Sequence, residues 1–288
     1  MKALYDVPAP AKLNLFLHIV GRRPDGMHLL QSAFMLIDWC DTLHFELRPG
    51  GGLSREDLDV ALPADDLILR AARALQQASA TSHGAHIAVE KRLPSQAGMG
   101  GGSSDAASCL LALNRLWGLN YPLPRLAQIG LALGADVPFF LGGRNAWVEG
   151  VGERLTPIAL PQARFVVVKP PEGLETAGIF KDPLLKRCSE PAIISGFAAN
   201  PYSFGVNDLQ PVAQRLCPGV TQAVEWLGSQ GLQGRMTGSG SAVFAQVPQG
   251  FDCEAIPEAP AGWQVRVCGN LGAHPLVGWA PSDDSVGG

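Results

Sequence analysis

Pro94-Ser95-Gln96-Ala97-Gly98-Met99-Gly100-Gly101-Gly102-Ser103-Ser104 is the stretch on which the reading of this chain turns. Four of its five residues from Gly98 to Gly102 lack a Cβ, so the backbone can take positive φ and approach a ligand without side-chain clash. Successive N–H groups in such a run can converge on an anion. A helix directly behind it would add free N–H groups and the positive end of its dipole. Ser103 and Ser104 can cap that helix or donate hydroxyls to a phosphate.

The flanks supply this context. Ala85–Arg92 alternates and reads as a strand, and Ser104–Trp117 reads as an amphipathic helix closed by Gly118. Two commoner phosphate motifs do not fit. A P-loop needs a lysine after its last glycine, and none follows here. A dinucleotide fingerprint needs a third glycine where Ser103 stands. A flexible loop ahead of a capped helix is the plain alternative, and the strand–loop–helix context favours a phosphate site over it.

Further out, Leu13, Leu15, Leu17 and Ile19 alternate with Asn14, Phe16, His18 and Val20, a mostly apolar strand of period two. Breakers in GRRPDGMH predict a turn, and Ser32–Trp39 is expected to pair back. RPGGGLSRED, residues 48–57, reads as a loop. Asp65–Ala78 carries an apolar stripe of Leu67, Ile68, Ala71, Ala72 and Leu75, with two aspartates in the first turn of the predicted helix. A third helix is expected over Pro124–Leu133, and Asp136-Val137-Pro138 starts a short turn or helix. Later elements are a strand at Arg164–Val168, helices after Asn207 and over Gln222–Gln230, and strands at Ser241–Ala245 and Trp263–Val267. The tail PSDDSVGG is expected to be disordered. Strands and helices without strict alternation indicate α+β, with a boundary near residue 155 dividing 1–155 from 156–288.

The chain has 288 residues, enough for a sizeable core, with 47% apolar and 17% charged residues and a formal net charge of −4. That balance carries no basic footprint for nucleic acid. The six cysteines show no CxxC or His-linked zinc spacing and read as reduced, small apolar residues. The N-terminus has no apolar signal core, and no apolar run reaches about 18 residues. A soluble cytoplasmic protein is expected.

Three further features carry chemistry. Asp136 is either an N-cap for the turn that follows or a general base accepting a hydroxyl proton during attack on phosphorus. Lys12 is either a surface cation or the group that keeps Asp136 ionised and stabilises transferring charge. Thr237-Gly238-Ser239-Gly240 is either a tight hairpin turn or a second wall of the phosphate site, with Thr237 and Ser239 as donors.

Taken together, these pieces resemble the GHMP kinases, the superfamily of galactokinase, homoserine kinase, mevalonate kinase and phosphomevalonate kinase. Its Pro-x-x-x-Gly-Leu-Gly-Ser-Ser motif is similar to Pro94–Ser104, with a longer glycine run here. The ordered segments PAPAKLNLFLHIVGRRPDGMHLL, LPSQAGMGGGSSDAA, GADVPFFLGG, ETAGIFKDP, VNDLQPV and RMTGSGSAVFA narrow the resemblance to the family of bacterial 4-diphosphocytidyl-2-C-methyl-D-erythritol kinases over residues 8 to about 276. The resemblance implies a two-domain fold, an N-terminal ribosomal-protein-like α+β domain and a C-terminal ferredoxin-like domain, with the site between them. It implies ATP with Mg2+, and phosphorylation of the 2-hydroxyl of the cytidyl erythritol substrate in the non-mevalonate isoprenoid pathway.

By position, Lys12 and Asp136 match the catalytic pair, and Pro94 with Gly98, Met99, Gly100, Gly101, Gly102, Ser103 and Ser104 matches the ATP phosphate loop. Asn14 and Thr176 match residues near the substrate's polar groups, and Thr237, Gly238 and Ser239 join the substrate side. His28, Phe34 and Phe180 match the cytidine pocket, where aromatic rings can stack on a base and His28 can bond its edge. Three departures stand out. Met27 occupies the place of the family's tyrosine and offers polarizable sulfur but no ring. Asp66 stands where relatives carry an asparagine against the nucleotide. The C-terminal glycine-asparagine-serine-proline pattern is degraded to Gly269-Asn270-Leu271-Gly272-Ala273-His274-Pro275.

The expectation is an ATP-dependent kinase on a small-molecule alcohol, without nucleic-acid or membrane partners, as a monomer or homodimer, with its magnesium ligands unassigned. The rivals are a related kinase for another alcohol, favoured by Met27, and a catalytically silent nucleotide-binding module, disfavoured by the joint presence of Lys12 and Asp136.

Overall fold

A long hairpin organises the first part of the chain. In the computed structural model, which describes residues 1–254 and 256–282, β1 (Ala3–Arg22) pairs antiparallel with β2 (His28–Arg48) around the Pro24-Asp25-Gly26 turn. Apolar residues on both faces of these strands are buried. Leu13, Leu15 and Phe16 are all fully covered, because helices pack on one side and the second half of the chain on the other. β3 (Leu53–Asp57), β4 (Gly84–Glu90), β5 (Ala146–Glu149) and β6 (Arg154–Pro157) complete a six-stranded sheet in the order β3-β4-β2-β5-β6, with β1 on β2.

Four helices cover this sheet: α1 (Leu67–Ser79), α2 (Gly101–Leu116), α3 (Leu123–Leu133) and α4 (Val137–Gly142). A second sheet, in the order β10-β7-β9-β8, is built from β7 (Arg164–Lys169), β8 (Arg235–Met236), β9 (Val243–Val247) and β10 (Gln264–Gly269). Its helices are α5 (Thr176–Lys181), α6 (Ile194–Ala199), α7 (Gln210–Leu216) and α8 (Pro218–Ser229). A core cluster containing Leu13, Met35, Trp147, Phe165 and Phe244 draws side chains from both sheets. Among the described residues, no helix is long and apolar enough to cross a membrane.

The structure departs from the sequence reading at several points. Residues 48–57 are not all loop: Leu53–Asp57 pairs in parallel with β4, and Arg55 folds inward onto Asp57 and Asp66. The helix expected from Asp65 begins at Leu67, because Asp66 keeps extended φ/ψ as the N-cap and accepts from the Leu69 N–H at 3.1 Å. The helix expected from Ser104 begins three residues earlier. Gly101 and Gly102 lie in its first turn, which leaves the left-handed region to Gly98 and Gly100, each at φ +72°. That helix is not amphipathic in its surroundings: every residue from Ser104 to Asn114 is buried, since α2 sits between the sheet and the other helices.

The degraded segment after Gly269 is a packing element. Asn270 donates to the Pro161 carbonyl and accepts from the Ala163 N–H. His274 is buried, and burial holds its imidazole down at about 4. The tail PSDDSVGG lies outside the described residues from position 283 onward.

Candidate active site

The glycine loop is shaped by what lies against it. A Cβ on Gly100 would come within 3.0 Å of the Phe140 ring, and one on Gly98 would lie 2.8 Å from the Gly240 nitrogen, so positive φ and tight approach both exclude other residues here. The partner of Gly98 is the second glycine loop: a Cβ on Gly238 would sit 2.5 Å from the Gly98 carbonyl oxygen. Ser241 and Ala242 donate their N–H groups to the carbonyls of Gln96 and Ala97. The second half of the chain therefore braces the loop, while the Lys12 N–H holds it from the other side through the Met99 carbonyl at 3.0 Å.

Lys12 projects from β1 into this corner with 4% of its surface exposed. Its Nζ donates to Asn14 Oδ1, lies 4.6 Å from the centroid of the Phe34 ring and stands 3.8 Å from Asp136 Oδ2. Burial pushes the ammonium below its ordinary range, and the Asp136 charge opposes that shift. Asp136 holds the N-cap position of α4, but its side chain makes no capping hydrogen bond and its carboxylate is 31% exposed. The cap is thus left unmade, and the carboxylate is free to meet a ligand.

One cleft of about 790 Å³ gathers Lys12, Asn14, Phe34, Asp66, Pro94, Gly98–Ser103, Asp136, Thr176, Phe180, Gly238 and Ser239. Thr176 Oγ1 and Ser239 Oγ are 2.6 Å apart across it. Four expected site residues are not on its wall. Thr237 is fully buried, and its Oγ1 accepts from the Asn14 N–H at 2.9 Å. Ser104 is also fully buried: its hydroxyl donates to the Pro10 carbonyl and its N–H to the Gly100 carbonyl. Met27 is half exposed at the hairpin turn. His28 stands beyond the wall, with its ring 5.1 Å from that of Phe180 at a 35° tilt. Phe34 is covered by Lys12 on its face and by Phe139 edge-on at 5.2 Å and 89°, so its ring is engaged before any base arrives.

Three cations near the cleft were passed over in the sequence, where isolated basic residues carry no local signature. Lys91 lines the cleft and is held by Asp41 and, at 2.6 Å, by Asp105. Arg55 bonds Asp66 at 2.6 Å and cancels the charge that this carboxylate would otherwise present to a phosphate. Arg187 reaches His28. Asp105 is itself unusual. Burial raises its carboxyl to about 8 against the pull of Lys91, and its Oδ1 has no hydrogen-bond partner.

Residues 66–144 match the family model "GHMP kinases N terminal domain", and residues 191–252 match "GHMP kinases C terminal". A protein of Variovorax paradoxus named 4-diphosphocytidyl-2-C-methyl-D-erythritol kinase is 68% identical, covering 97% of this chain and 100% of its own length. One of the same name from Albidiferax ferrireducens is 70% identical over 98% of each. A crystal structure of 4-(cytidine 5'-diphospho)-2C-methyl-D-erythritol kinase, 34% identical, superposes with a TM-score of 0.76 over 91% of this chain and 98% of that one. The homoserine kinase of Cytophaga hutchinsonii, at 16% identity and a TM-score of 0.68, covers 95% of this chain and 96% of its own and shares the fold.

Proposed function

The chain belongs to the 4-diphosphocytidyl-2-C-methyl-D-erythritol kinases, within the ATP-using GHMP kinases, and we propose that its cleft transfers the γ-phosphoryl group of ATP to the 2-hydroxyl of the cytidyl erythritol substrate. The observation that carries the reading is the meeting of the Gly98–Gly102 backbone with the Lys12–Asp136 pair in one cleft. In this reading the amides at the start of α2 hold the phosphates, aided by the helix dipole. Asp136 accepts the proton of the attacking hydroxyl. Lys12 steadies the carboxylate and the charge on the transferring group, in a site where burial strengthens electrostatics. Asn14 fixes the ammonium, and Thr176 and Ser239 offer hydroxyls to the substrate's polar groups. Positioning and charge stabilisation account for most of the rate in phosphoryl transfer.

Among the described residues, no three carboxylate, histidine or cysteine groups converge as a metal cage. Of the oxygen donors that line the cleft, the Asp136 carboxylate and the Ser103 hydroxyl at the glycine loop suit a Mg2+ held chiefly by the phosphates. Such an ion would neutralise phosphate charge. The reading also assigns the nucleotide loop to an N-terminal domain of residues 1–155 and the remainder to a C-terminal domain. The change of sheet between Pro157 and Arg164 supports that division. Two small, water-soluble substrates support a cytoplasmic location for the enzyme.

Asp136→Ala tests the reading. Loss of a general base predicts a fall in turnover of about 10²–10⁴ while ATP still binds. Wild-type turnover in that variant would remove the carboxylate from the reaction.

A further inference from the structure

Ser32 of β2 stands on the wall of the cleft, buried and without a part in the reaction so far. It faces an irregularity in the central hairpin. Asn14 pairs with Phe34 and Leu17 with Ser32, so β1 carries one extra residue against β2 between those points. A bulge of this kind takes backbone groups out of the ladder and re-aims side chains. Here the Phe16 carbonyl accepts from the Ser32 hydroxyl, and the Leu15 carbonyl accepts from Arg235. Ser32 Oγ accepts in turn from Asn14 Nδ2 at 2.9 Å, and Asn14 Oδ1 accepts from Lys12 Nζ. The backbone N–H of Asn14 is fixed on Thr237 Oγ1 at 2.9 Å.

This chain of side chains can run in one direction only. An ammonium has donors alone, and a carbonyl only accepts. The Phe16 carbonyl takes the single hydroxyl hydrogen of Ser32, which leaves Ser32 Oγ as an acceptor. It must then meet the NH2 of Asn14, and the amide oxygen is turned to Lys12. Lys12, Asn14 and Ser32 are 4%, 1% and 1% exposed, so water has little access to these bonds.

The chain bears on the reaction through Lys12. Its Nζ lies 3.8 Å from Asp136 Oδ2, longer than a hydrogen bond, and Asp136 is the one charged group paired with it among the described residues. The other neighbours of the lysine side chain, the Phe34 ring and Gly100, bring no charge. Asn14 is thus the neutral acceptor that keeps the ammonium off the carboxylate. An amide free to turn would give up that acceptor, and Coulomb attraction would draw the two charges into contact.

We propose that Ser32 is a positioning residue for the phosphoryl transfer: by tying the Asn14 amide to the Phe16 carbonyl, it holds Lys12 apart from Asp136, so that the ammonium meets the transferring group and the carboxylate meets the attacking hydroxyl. This rests on the kinase reading above.

Ser32→Ala removes the middle of the chain. Its kcat should fall about 10²-fold, as for a displacement of about 1 Å at a reacting group. KM for ATP and for the cytidyl substrate should hold, since the interaction lost belongs to the transition state. Ser32→Thr keeps the hydroxyl and should restore kcat. Asn14→Leu should lower kcat at least as far, and adding Ser32→Ala to it should cost nothing more, because the two residues act in series. Ser32→Cys fills similar space with a weak donor and should fall between wild type and Ser32→Ala, which covers the case of an unstable alanine variant.

A readout free of turnover is the titration of Lys12 Nζ, followed by its 15N resonance in the protein without substrates. Burial lowers this ammonium in the wild type. Closure on Asp136 should raise it in Ser32→Ala and, to a smaller extent, in Ser32→Cys, by about one pH unit in the former. An unmoved or lowered titration would overturn the proposal, and so would a further loss of kcat when Ser32→Ala is added to Asn14→Leu. A raised titration in the variants of a protein whose wild type does not phosphorylate the cytidyl substrate would keep Ser32 as the residue that places Lys12 and sink the kinase reading instead.

Discussion

Two cation–carboxylate groups stand on the wall of one cleft and are built in opposite ways. Lys12 and Asp136 are loosely paired at 3.8 Å, with the carboxylate about a third exposed and its capping bond unmade. Lys91 is gripped by two carboxylates, Asp41 and Asp105, both almost fully buried. The pK directions diverge in the same sense. Burial wins over Asp136 at Lys12 and lowers its ammonium; at Lys91 burial also pulls downward, but Asp105 and Asp41 outweigh it and the ammonium is raised. A loose, partly solvated pair can exchange a proton and meet a third charge, whereas a tight, desolvated one has its bonding spent on holding strands and helix together.

The largest effect should come from breaking the loose pair. Lys12→Met should lower kcat by about 10²–10³, as for loss of one preorganised charge at the transferring group. Its stability should stay level or rise, because the buried ammonium is disfavoured in the fold and the remaining Asp136 is solvated. Steady-state kinetics and urea unfolding of the same preparation check both halves. A marked loss of stability with modest loss of kcat would reverse the assignment.

Lys91→Met should do the contrary. Removing the cation leaves Asp41 and Asp105 facing each other out of water, and stripping one partner from a buried ionic group costs about 3–5 kcal/mol. Denaturant midpoints, compared with those of Lys12→Met, give the measurement. If the two variants unfold alike, the distinction between a reactive and a structural pair fails.

How far these groups could be read from sequence follows from their spacing. The glycine run and the stripe of α1 are local patterns, and the helices they mark begin within a few residues of expectation; the alternation of β1 finds the strand from Leu13 but not its first ten residues, Ala3–Lys12. β3 is not legible because Gly50–Gly52 masks a short strand whose partner, β4, comes after a helix. The onset of α2 was placed late because glycine reads as a breaker, yet Gly101 and Gly102 are held helical by the buried turn that follows. The neighbours of Lys12 and Asp136 leave each between a structural and a chemical reading, and the motif resemblance is what matches them to a catalytic pair. The pairing of Lys91 with Asp41 and of Arg187 with His28 is not legible for a physical reason: a contact between side chains 50 or 159 positions apart leaves no period in the chain.

The finest test of the contrast lies in Asp105. Its carboxyl is raised from 3.8 to about 8, first by burial, so near neutral pH it carries a proton in the folded protein that it would lose in the unfolded chain. A folded pK above the unfolded one means that its contribution to stability is complete below about 4 and is lost as pH climbs through about 8. Asp105→Asn copies the protonated form. It should therefore differ from the wild type most unfavourably at pH 5 and gain relative to it by more than about 1 kcal/mol by pH 8.5, since one pK unit of displacement is worth about 1.4 kcal/mol. Urea unfolding of both proteins across that range reads the difference. A gap that stays constant with pH would mean that Asp105 is ionised throughout, and the Lys91 group would then be a plain salt bridge, alike in kind to the pair it was contrasted with.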